Sequence, residues 1–171
     1  TQLWKILCRE ATSKAAKFDA RHIANTLNSI CQARRVDNDL VTQLCKQVLA
    51  KASEFTARGI ANTLNALGKG EHHDAEVVGV LCKQVLAKAS EFNSQGIANT
   101  LNALSKCDHY DAAVFGVLCK QLIDKASEFN SHGIATTLNT LSMFDHYDVA
   151  VFGVLCTLPL DMASDLNSPA S

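Results

Sequence analysis

Polar side chains that can contact RNA recur along one face of four segments of the sequence. Residues spaced i, i+4, i+7 and i+11 share a face of an α-helix. Asn and Gln side chains can hydrogen-bond base edges, while Arg and Lys can reach phosphates or stack on bases. We call this face the polar stripe and hypothesise that it binds RNA. Its predicted RNA-binding residues are Arg21, Asn25, Asn28, Gln32, Arg58, Asn62, Asn65, Lys69, Gln95, Asn99, Asn102, Lys106, His132 and Asn139, with Thr136 and Met143 completing the last segment.

The asparagines of the stripe allow a second interpretation. One stripe position is asparagine in all four segments, at Asn28, Asn65, Asn102 and Asn139. These amides either face RNA or hydrogen-bond to one another between segments, as buried polar ladders can. Two other stripe positions vary, and they are better candidates for contacts that differ between segments: Arg21, Arg58, Gln95 and His132 at one, and Gln32, Lys69, Lys106 and Met143 at the other. Lys46, Lys83 and Lys120 lie elsewhere and are interpreted as solvated cations.

The elements that position the stripe follow a repeat of 37 residues. Residues 51–87 and 88–124 are identical at 25 of 37 positions without a gap. Periods of about 20 to 50 residues are typical of solenoids, whose units must stack to bury their apolar faces. We therefore predict an all-α fold: a single domain over residues 1–171, built as a right-handed α-solenoid of antiparallel helix pairs. The predicted divisions are a partial repeat at 1–13, full repeats at 14–50, 51–87, 88–124 and 125–161, and the start of a further repeat at 162–171.

Each repeat is predicted to contain two capped helices. The predicted N-caps of the first helices are Asp19, Thr56, Asn93 and Asn130, and those of the second helices are Asp37, Asp74, Asp111 and Asp148. Phe92 before the cap and Ile97 after it form a predicted hydrophobic staple, repeated in the other copies. His72, His109 and His146 are interpreted as turn residues, and the neighbouring His73, Tyr110 and Tyr147 can staple the second helix.

The second helix carries two features that ordinary helices avoid. Gly79, Gly116 and Gly153 lie inside it, where glycine costs up to about 1 kcal/mol relative to alanine. A recurring cost predicts close helix packing at these positions. In the third copy the helix is predicted to run to about Ser127, and in the fourth Pro159 is predicted to kink or stop it.

The cysteines form a register rather than a disulfide or metal set. Five of the seven occupy one repeat position, beside a recurring leucine. Equivalent positions of neighbouring helix pairs should lie about 8 to 10 Å apart, beyond the reach of a disulfide at about 7 Å. The five are therefore predicted to be buried core residues: Cys8, Cys45, Cys82, Cys119 and Cys156. Cys107 with Asp108, His109 and Asp111 suggests zinc, but no Cys-x-x-Cys pair supports it. No metal and no other cofactor is predicted.

Composition and charge restrict the function classes. The chain is 47% hydrophobic with a formal net charge of -1, whereas proteins that bind nucleic acid tightly on their own usually have a basic excess. No apolar run approaches the about 20 residues that span a bilayer. The sequence shows no nucleophile, base and acid set, no phosphate-binding glycine loop and no isolated carboxylate pair. It is not predicted to be an enzyme.

The first-helix segments resemble a known repeat family. FDARHIANTLNSI, FTARGIANTLNAL, FNSQGIANTLNAL and FNSHGIATTLNTL resemble the first helices of heptatricopeptide-like and octotricopeptide-like repeat proteins, the former described for organelles of alveolate protists. The resemblance implies an α-solenoid in the mitochondrial matrix or a plastid that binds organellar RNA, including fragmented ribosomal RNA, through the polar stripe. Many members carry tryptophan where this chain has asparagine, at residue 65 for example. That departure, with the near-neutral charge, suits a subunit that touches RNA within a larger particle.

Two functional hypotheses follow. The first is a mitochondrial RNA-binding solenoid, a component of a mitochondrial ribosome that clamps ribosomal RNA and contacts neighbouring proteins. The second is a protein–protein scaffold in another large mitochondrial complex without RNA. A basic first-helix surface favours RNA, whereas an even or apolar one favours a protein partner. Neither hypothesis includes a membrane span or a small-molecule substrate.

Overall fold

The structure is a computed structural model that describes residues 2–33, 36–70 and 74–157. Within these ranges it is helical and contains no strand. The helices are α1 (Gln2–Lys14), α2 (Ala20–Gln32), α3 (Asn38–Lys51), α4 (Ala57–Lys69), α5 (Ala75–Ala87), α6 (Ser94–Lys106), α7 (Ala112–Asp124), α8 (Ser131–Met143) and α9 (Val149–Thr157).

The helices pack as two layers, which confirms the predicted all-α solenoid of helix pairs. The first helices α2, α4, α6 and α8 contact one another in sequence, and the second helices α1, α3, α5, α7 and α9 do the same. The first helices α2, α4 and α6 also contact the second helices that follow them in the chain, α3, α5 and α7. Contacts are most extensive between consecutive first helices. The polar stripe therefore belongs to the more tightly packed layer.

The predicted caps are confirmed at both kinds of helix. The side chains of Asp19, Thr56, Asn93 and Asn130 each accept a hydrogen bond from a first-turn amide of α2, α4, α6 and α8. Asp37, Asp74 and Asp111 do so for α3, α5 and α7, and Asp148 accepts from the amides of Ala150 and Val151 in α9. The predicted staple residues Phe92 and Ile97 are both buried. Each helix from α2 to α9 thus begins with a local side-chain-to-backbone hydrogen bond that recurs with the repeat.

The cysteine prediction is confirmed where the structure describes the side chains. Cys8, Cys45, Cys82 and Cys119 are buried free thiols in the continuous apolar core between the layers. Burial, followed by the charge of the next aspartate cap, raises the pKa of the Cys45 and Cys82 thiols to about 12. These thiols are therefore protonated near neutral pH and behave as apolar core groups.

The second helices end earlier than predicted. In the third copy α7 ends at Asp124 rather than near Ser127, and a 3-10 turn follows at Ala126–Glu128. The same 3-10 turn occurs at Ala15–Lys17, Ala52–Glu54 and Ala89–Glu91. It tightens the connection so that the following phenylalanine enters the core and stands just before the next cap.

The prediction of close packing at the second-helix glycines is wrong. A Cβ atom added at Gly79, Gly116 or Gly153 would meet no neighbouring atom within 4 Å. The close approach lies instead between first helices. A Cβ at Gly68 would come within 3.1 Å of the Lys106 Cβ and 3.2 Å of the Ala103 carbonyl oxygen. The sequence shows that a glycine lies inside a helix, but it does not show whether another helix packs closely against it. Close packing depends on the distance and crossing angle between neighbouring helices.

Some predictions fall outside the described residues. These are the turn positions His72 and His73, the helix break at Pro159, the burial of the Cys156 side chain and the further repeat from residue 162. His109 and His146 lie in the loops between helices, each just after a turn. The predicted staples are seen as ring pairs of Tyr110 with Phe115 and Tyr147 with Phe152. In the described part of the chain, no helix is long and apolar enough to cross a membrane.

Candidate nucleic-acid interface

The polar stripe lies on the outward faces of the first helices. Ile60, Leu64 and Leu67 of α4 are buried, whereas the stripe positions on the other face of the helix are exposed or half-exposed. The same division holds for α2 and α6, whereas in α8 Leu141 is buried and Ile134 and Leu138 are half-buried. Of the predicted RNA-binding residues, the exposed ones are Arg21, Asn25, Gln32, Arg58, Lys69, Gln95, Lys106, His132 and Asn139, and the half-exposed ones are Asn28, Asn62, Asn65, Asn99 and Asn102.

A cleft between α4 and α6 brings part of the stripe together. Arg58 and Asn62 of α4 face Gln95 and Asn99 of α6 across a cavity of about 280 Å³. Ala57, Ala61 and Gly96 are small residues on its wall. With Asn93, which also lines it, the cleft offers one guanidinium and four side-chain amides, whose donors and acceptors match the edges and faces of nucleobases.

A second cleft lies one repeat further along. Gln95 and Asn99 also line a cavity of about 150 Å³ that they share with His132 and Thr136 of α8. Gly133 lies in the wall of this cleft, and a side chain there would be crowded. A Cβ at Gly133 would lie 3.3 Å from both the Asn130 Oδ1 and a Phe129 ring carbon. The two clefts share α6, so a ligand that occupies both would run across the first-helix layer.

The remaining stripe residues do not line these two clefts. Asn65, Lys69, Asn102 and Lys106 lie nearer the C-terminal ends of α4 and α6, with both lysines exposed. Cations at helix C-termini are favoured by the helix dipole, so the lysines also have a structural reason for their position. On α2, the Gln32 side chain donates to the Asn28 Oδ1 within the same helix at 3.3 Å.

The structure does not show a buried asparagine ladder between repeats. In the described residues, no hydrogen bond joins Asn28, Asn65, Asn102 or Asn139 to one another, and none of the four is buried. Lysines that were not predicted to connect the repeats do so. Lys51, Lys88 and Lys125 each donate two hydrogen bonds to backbone carbonyls of the preceding copy. The stripe amides are therefore not bonded to one another between repeats, although Asn28 accepts from Gln32 and Asn139 donates to the Met143 sulfur within their own helices.

Carboxylates at the rim of the first-helix layer were also missed. Glu91 lines the cleft that contains Arg58, and Glu54 and Glu128 occupy the same repeat position, all three exposed. Their signal in the sequence is the recurring KASEF motif, whose glutamate is invariant in three copies. The surface is therefore mixed in charge rather than strongly basic, so its charge does not by itself favour RNA over a protein partner. Such a surface selects for bases and local charge pairs more than for bulk phosphate charge.

An apolar surface lies in the other layer. Leu3, Ile6 and Leu7 of α1 are 65%, 43% and 53% exposed. Leu7 also lines an open apolar groove between α1 and α2, together with Trp4, Cys8 and Ile30. Contiguous exposed apolar side chains are typical of surfaces that contact protein.

Comparison with known proteins matches the sequence to one family. The sequence matches the family model described as RNA-editing substrate-binding complex 6 protein over residues 1–149, which is most of the chain. The match includes α1 to α8 and therefore every predicted RNA-binding residue. No curated protein matches the sequence.

Proposed function

We propose that this chain, which belongs to the RNA-editing substrate-binding complex 6 protein family, binds single-stranded RNA across its first-helix layer as a subunit of an RNA-editing substrate-binding assembly. The family description names such a complex. The observation that carries the RNA-binding role is the pair of neighbouring clefts that gather arginine, glutamine, asparagine and histidine side chains.

The chemistry of the clefts favours unpaired bases. Sequence-selective RNA recognition uses bases splayed out of the strand, stacked on guanidinium or imidazole planes and hydrogen-bonded at their edges. Arg58 and His132 supply such planes at the outer sides of the two clefts, and Gln95 and Asn99 supply amides to both. A base in each cleft would place the connecting backbone across α6.

The charge distribution favours a subunit over an independent binder. Phosphate contacts come from scattered cations, Arg21, Arg58, Lys69 and Lys106, and Glu91 beside Arg58 partly offsets them. Only four cations lie on the stripe, so few phosphates can be neutralised and the counterion-release contribution to affinity is limited. Neighbouring proteins in the assembly supply the remaining affinity, and the apolar α1 surface is available to one of them.

We propose a mitochondrial location and a non-catalytic role, in keeping with membership of an editing assembly. The location in the matrix and the ribosomal RNA ligand remain predictions from the repeat resemblance. The family description favours an editing complex over a mitochondrial ribosome.

The experiment compares two variants with equal loss of positive charge. One replaces Arg21, Arg58, Lys69 and Lys106 with Ala on the first helices. The control replaces Arg9, Lys46, Lys83 and Lys120, which are exposed at one repeat position of the second helices. Binding to single-stranded RNA is measured against salt concentration, alone and in the native complex.

We expect the first-helix variant to weaken binding and to reduce the logarithmic salt slope by about 0.7 for each lost phosphate contact, while the control changes little. Equal effects of the two variants would show that only net charge matters and would overturn the assigned surface. A third outcome would favour the protein-only scaffold. In it, neither variant binds RNA, and the first-helix variant still associates fully with its native complex after nuclease treatment.

A further inference from the structure

Three side chains that bind metals meet between the third and fourth repeats. One potential ligand atom from each of Cys119, His146 and Asp148 lies within 4.8 Å of the other two. Cys119 is buried on α7, while His146 and Asp148 are half-buried in the turn between α8 and α9. In the described part of the chain, this is the one such group of three histidine, cysteine or acidic side chains.

The turn holds its two ligands by backbone bonds. Asp145 adopts a left-handed conformation with φ 50°, and the His146 amide donates to the Leu141 carbonyl at 2.9 Å. The Asp148 Oδ1 accepts from the amides of Ala150 at 2.9 Å and Val151 at 3.1 Å. These bonds fix the carboxylate and leave its second oxygen to face another group.

The histidine is oriented by a residue from the preceding repeat. The Tyr110 hydroxyl lies 3.0 Å from the His146 Nδ1, and the Tyr110 ring packs against Phe115 and Phe144. Histidines that bind metals usually donate their other ring N–H to such a partner, which sets the tautomer. When Nδ1–H donates to Tyr110, the Nε2 carries the lone pair that a metal takes.

The same three residue types recur at the same repeat positions. Cys82, His109 and Asp111 are the equivalents one copy earlier, but they form no comparable group in the described structure. The orienting residue differs, because the position of Tyr110 is His73 in the copy before. Cys82, His109 and Asp111 thus provide matched controls with the same three types of side chain.

We propose that Cys119, His146 and Asp148 bind one divalent ion of the zinc class and join α7 to the α8–α9 turn. A thiolate, an imidazole and a carboxylate are ligands that zinc accepts in a tetrahedral site, with water in the fourth position. The two anionic ligands neutralise the ion. Metals that prefer only oxygen ligands, such as magnesium and calcium, fit this set poorly.

Metal binding at this site displaces a proton. Burial, and then the charge of Asp148, raises the pKa of the Cys119 thiol to about 11, so the metal-free thiol is protonated. The ion binds the thiolate, and the thiol proton passes to solvent.

The test uses the purified full chain, freed of metal with a chelator and titrated with Co²⁺ as a spectroscopic substitute for Zn²⁺. We expect a thiolate-to-cobalt charge-transfer band at one equivalent, its loss on adding Zn²⁺, and a rise in Tm with Zn²⁺. Cys119→Ser and His146→Gln should abolish the band. Cys82→Ser and His109→Gln should keep it, and Tyr110→Phe should weaken Co²⁺ binding about tenfold.

Two outcomes would overturn the proposal. One is the absence of a thiolate band in the folded wild-type chain. The other is a band that Cys119→Ser and His146→Gln retain. Circular dichroism of each variant establishes whether it is folded. If Cys119→Ser does not fold, His146→Gln still tests the site, because it changes only a half-buried side chain in the loop between α8 and α9. RNA binding is measured separately, so this site and the proposed function can fail independently.

Discussion

The Lys88 side chain donates a hydrogen bond of 2.8 Å from its Nζ to the carbonyl oxygen of Ser53, 35 residues earlier. The same ammonium donates to the Phe55 carbonyl, and Lys51 and Lys125 make the equivalent pairs of bonds. Lys51 is the last residue of α3, and Lys88 and Lys125 directly follow α5 and α7. Each lysine binds one carbonyl within the 3-10 turn of the preceding copy and the carbonyl of the phenylalanine just after that turn. The repeats are therefore connected by charged donors on backbone carbonyls as well as by their apolar core.

The lysine bonds predict a stability difference between two similar substitutions. Lys88→Met keeps the aliphatic stem but leaves two carbonyls without their donor, one of them part-buried, and should lower the free energy of unfolding by about 1 to 2 kcal/mol. Lys83→Met, on the exposed side of α5, should change it by less than about 0.5 kcal/mol. Urea unfolding of both variants measures the difference, and equal effects would contradict the connecting role.

The second-helix glycines predict a stabilising substitution. Gly116 has open space around its missing Cβ, so Gly116→Ala should raise stability by up to about 1 kcal/mol through helix propensity. Gly68→Ala should destabilise the protein, since its Cβ would press on the Ala103 carbonyl and the Lys106 side chain. Thermal unfolding monitored by circular dichroism tests both. A fall in Tm for Gly116→Ala would mean that this position has a role the helix packing does not show.

The buried threonines predict an unusual result for a polar-to-apolar change. The Thr100 Oγ1 is buried on α6 without a hydrogen-bond partner among the described residues, and Thr63, Thr137 and Thr140 share this state. Thr100→Val removes the unpaired hydroxyl at constant shape, and we expect stability to hold or to rise by about 1 kcal/mol. Thr100→Ser, which keeps the hydroxyl and loses the methyl group, should cost about 1 kcal/mol. A large loss for the valine variant would reveal a partner for the hydroxyl.

The buried thiols predict a loss of stability in alkaline solution. The pKa of Cys45 and Cys82 is raised to about 12 in the folded chain, whereas in the unfolded chain the thiols ionise at their ordinary, lower pKa. Their contribution is therefore complete below the ordinary thiol pKa and is lost as pH rises through the folded value. The double variant Cys45→Ala and Cys82→Ala should show a shallower fall in stability with pH. Denaturant unfolding at a series of alkaline pH values compares the slopes, and identical slopes would refute this account.

Much of the fold was predictable because its signals are local. The cap residues Asp19, Thr56, Asn93 and Asn130 each accept from the amide three residues further on, so their spacing identified where the first helices begin. The 37-residue period then predicted stacking, since no single helix pair can bury its own apolar face. The early end of α7 was not predicted, because the change to a 3-10 turn involves only small differences in backbone geometry.

The candidate interface was predictable only in part. Helical spacing placed Arg58, Asn62, Gln95 and Asn99 on one outward face, but spacing alone could not show that these four share a cleft while Asn65 and Lys69 do not line it. Which residues of this face line a cleft depends on where the neighbouring helices diverge. The recurring glutamate of the KASEF motif was visible in the sequence, yet its position at the cleft rim required the packed structure.

The sequence alone determined the repeat, the helix caps, the apolar core with its cysteine register and the outward face of the first helices. Each of these depends on contacts within about one helical turn or on strict periodicity. Only the tertiary structure decided that Lys88 reaches Ser53, that the first helices pack more closely than the second, and that Cys119, His146 and Asp148 meet. Those relationships depend on the crossing and separation of helices in different repeats, which are set by the packing of all side chains between them.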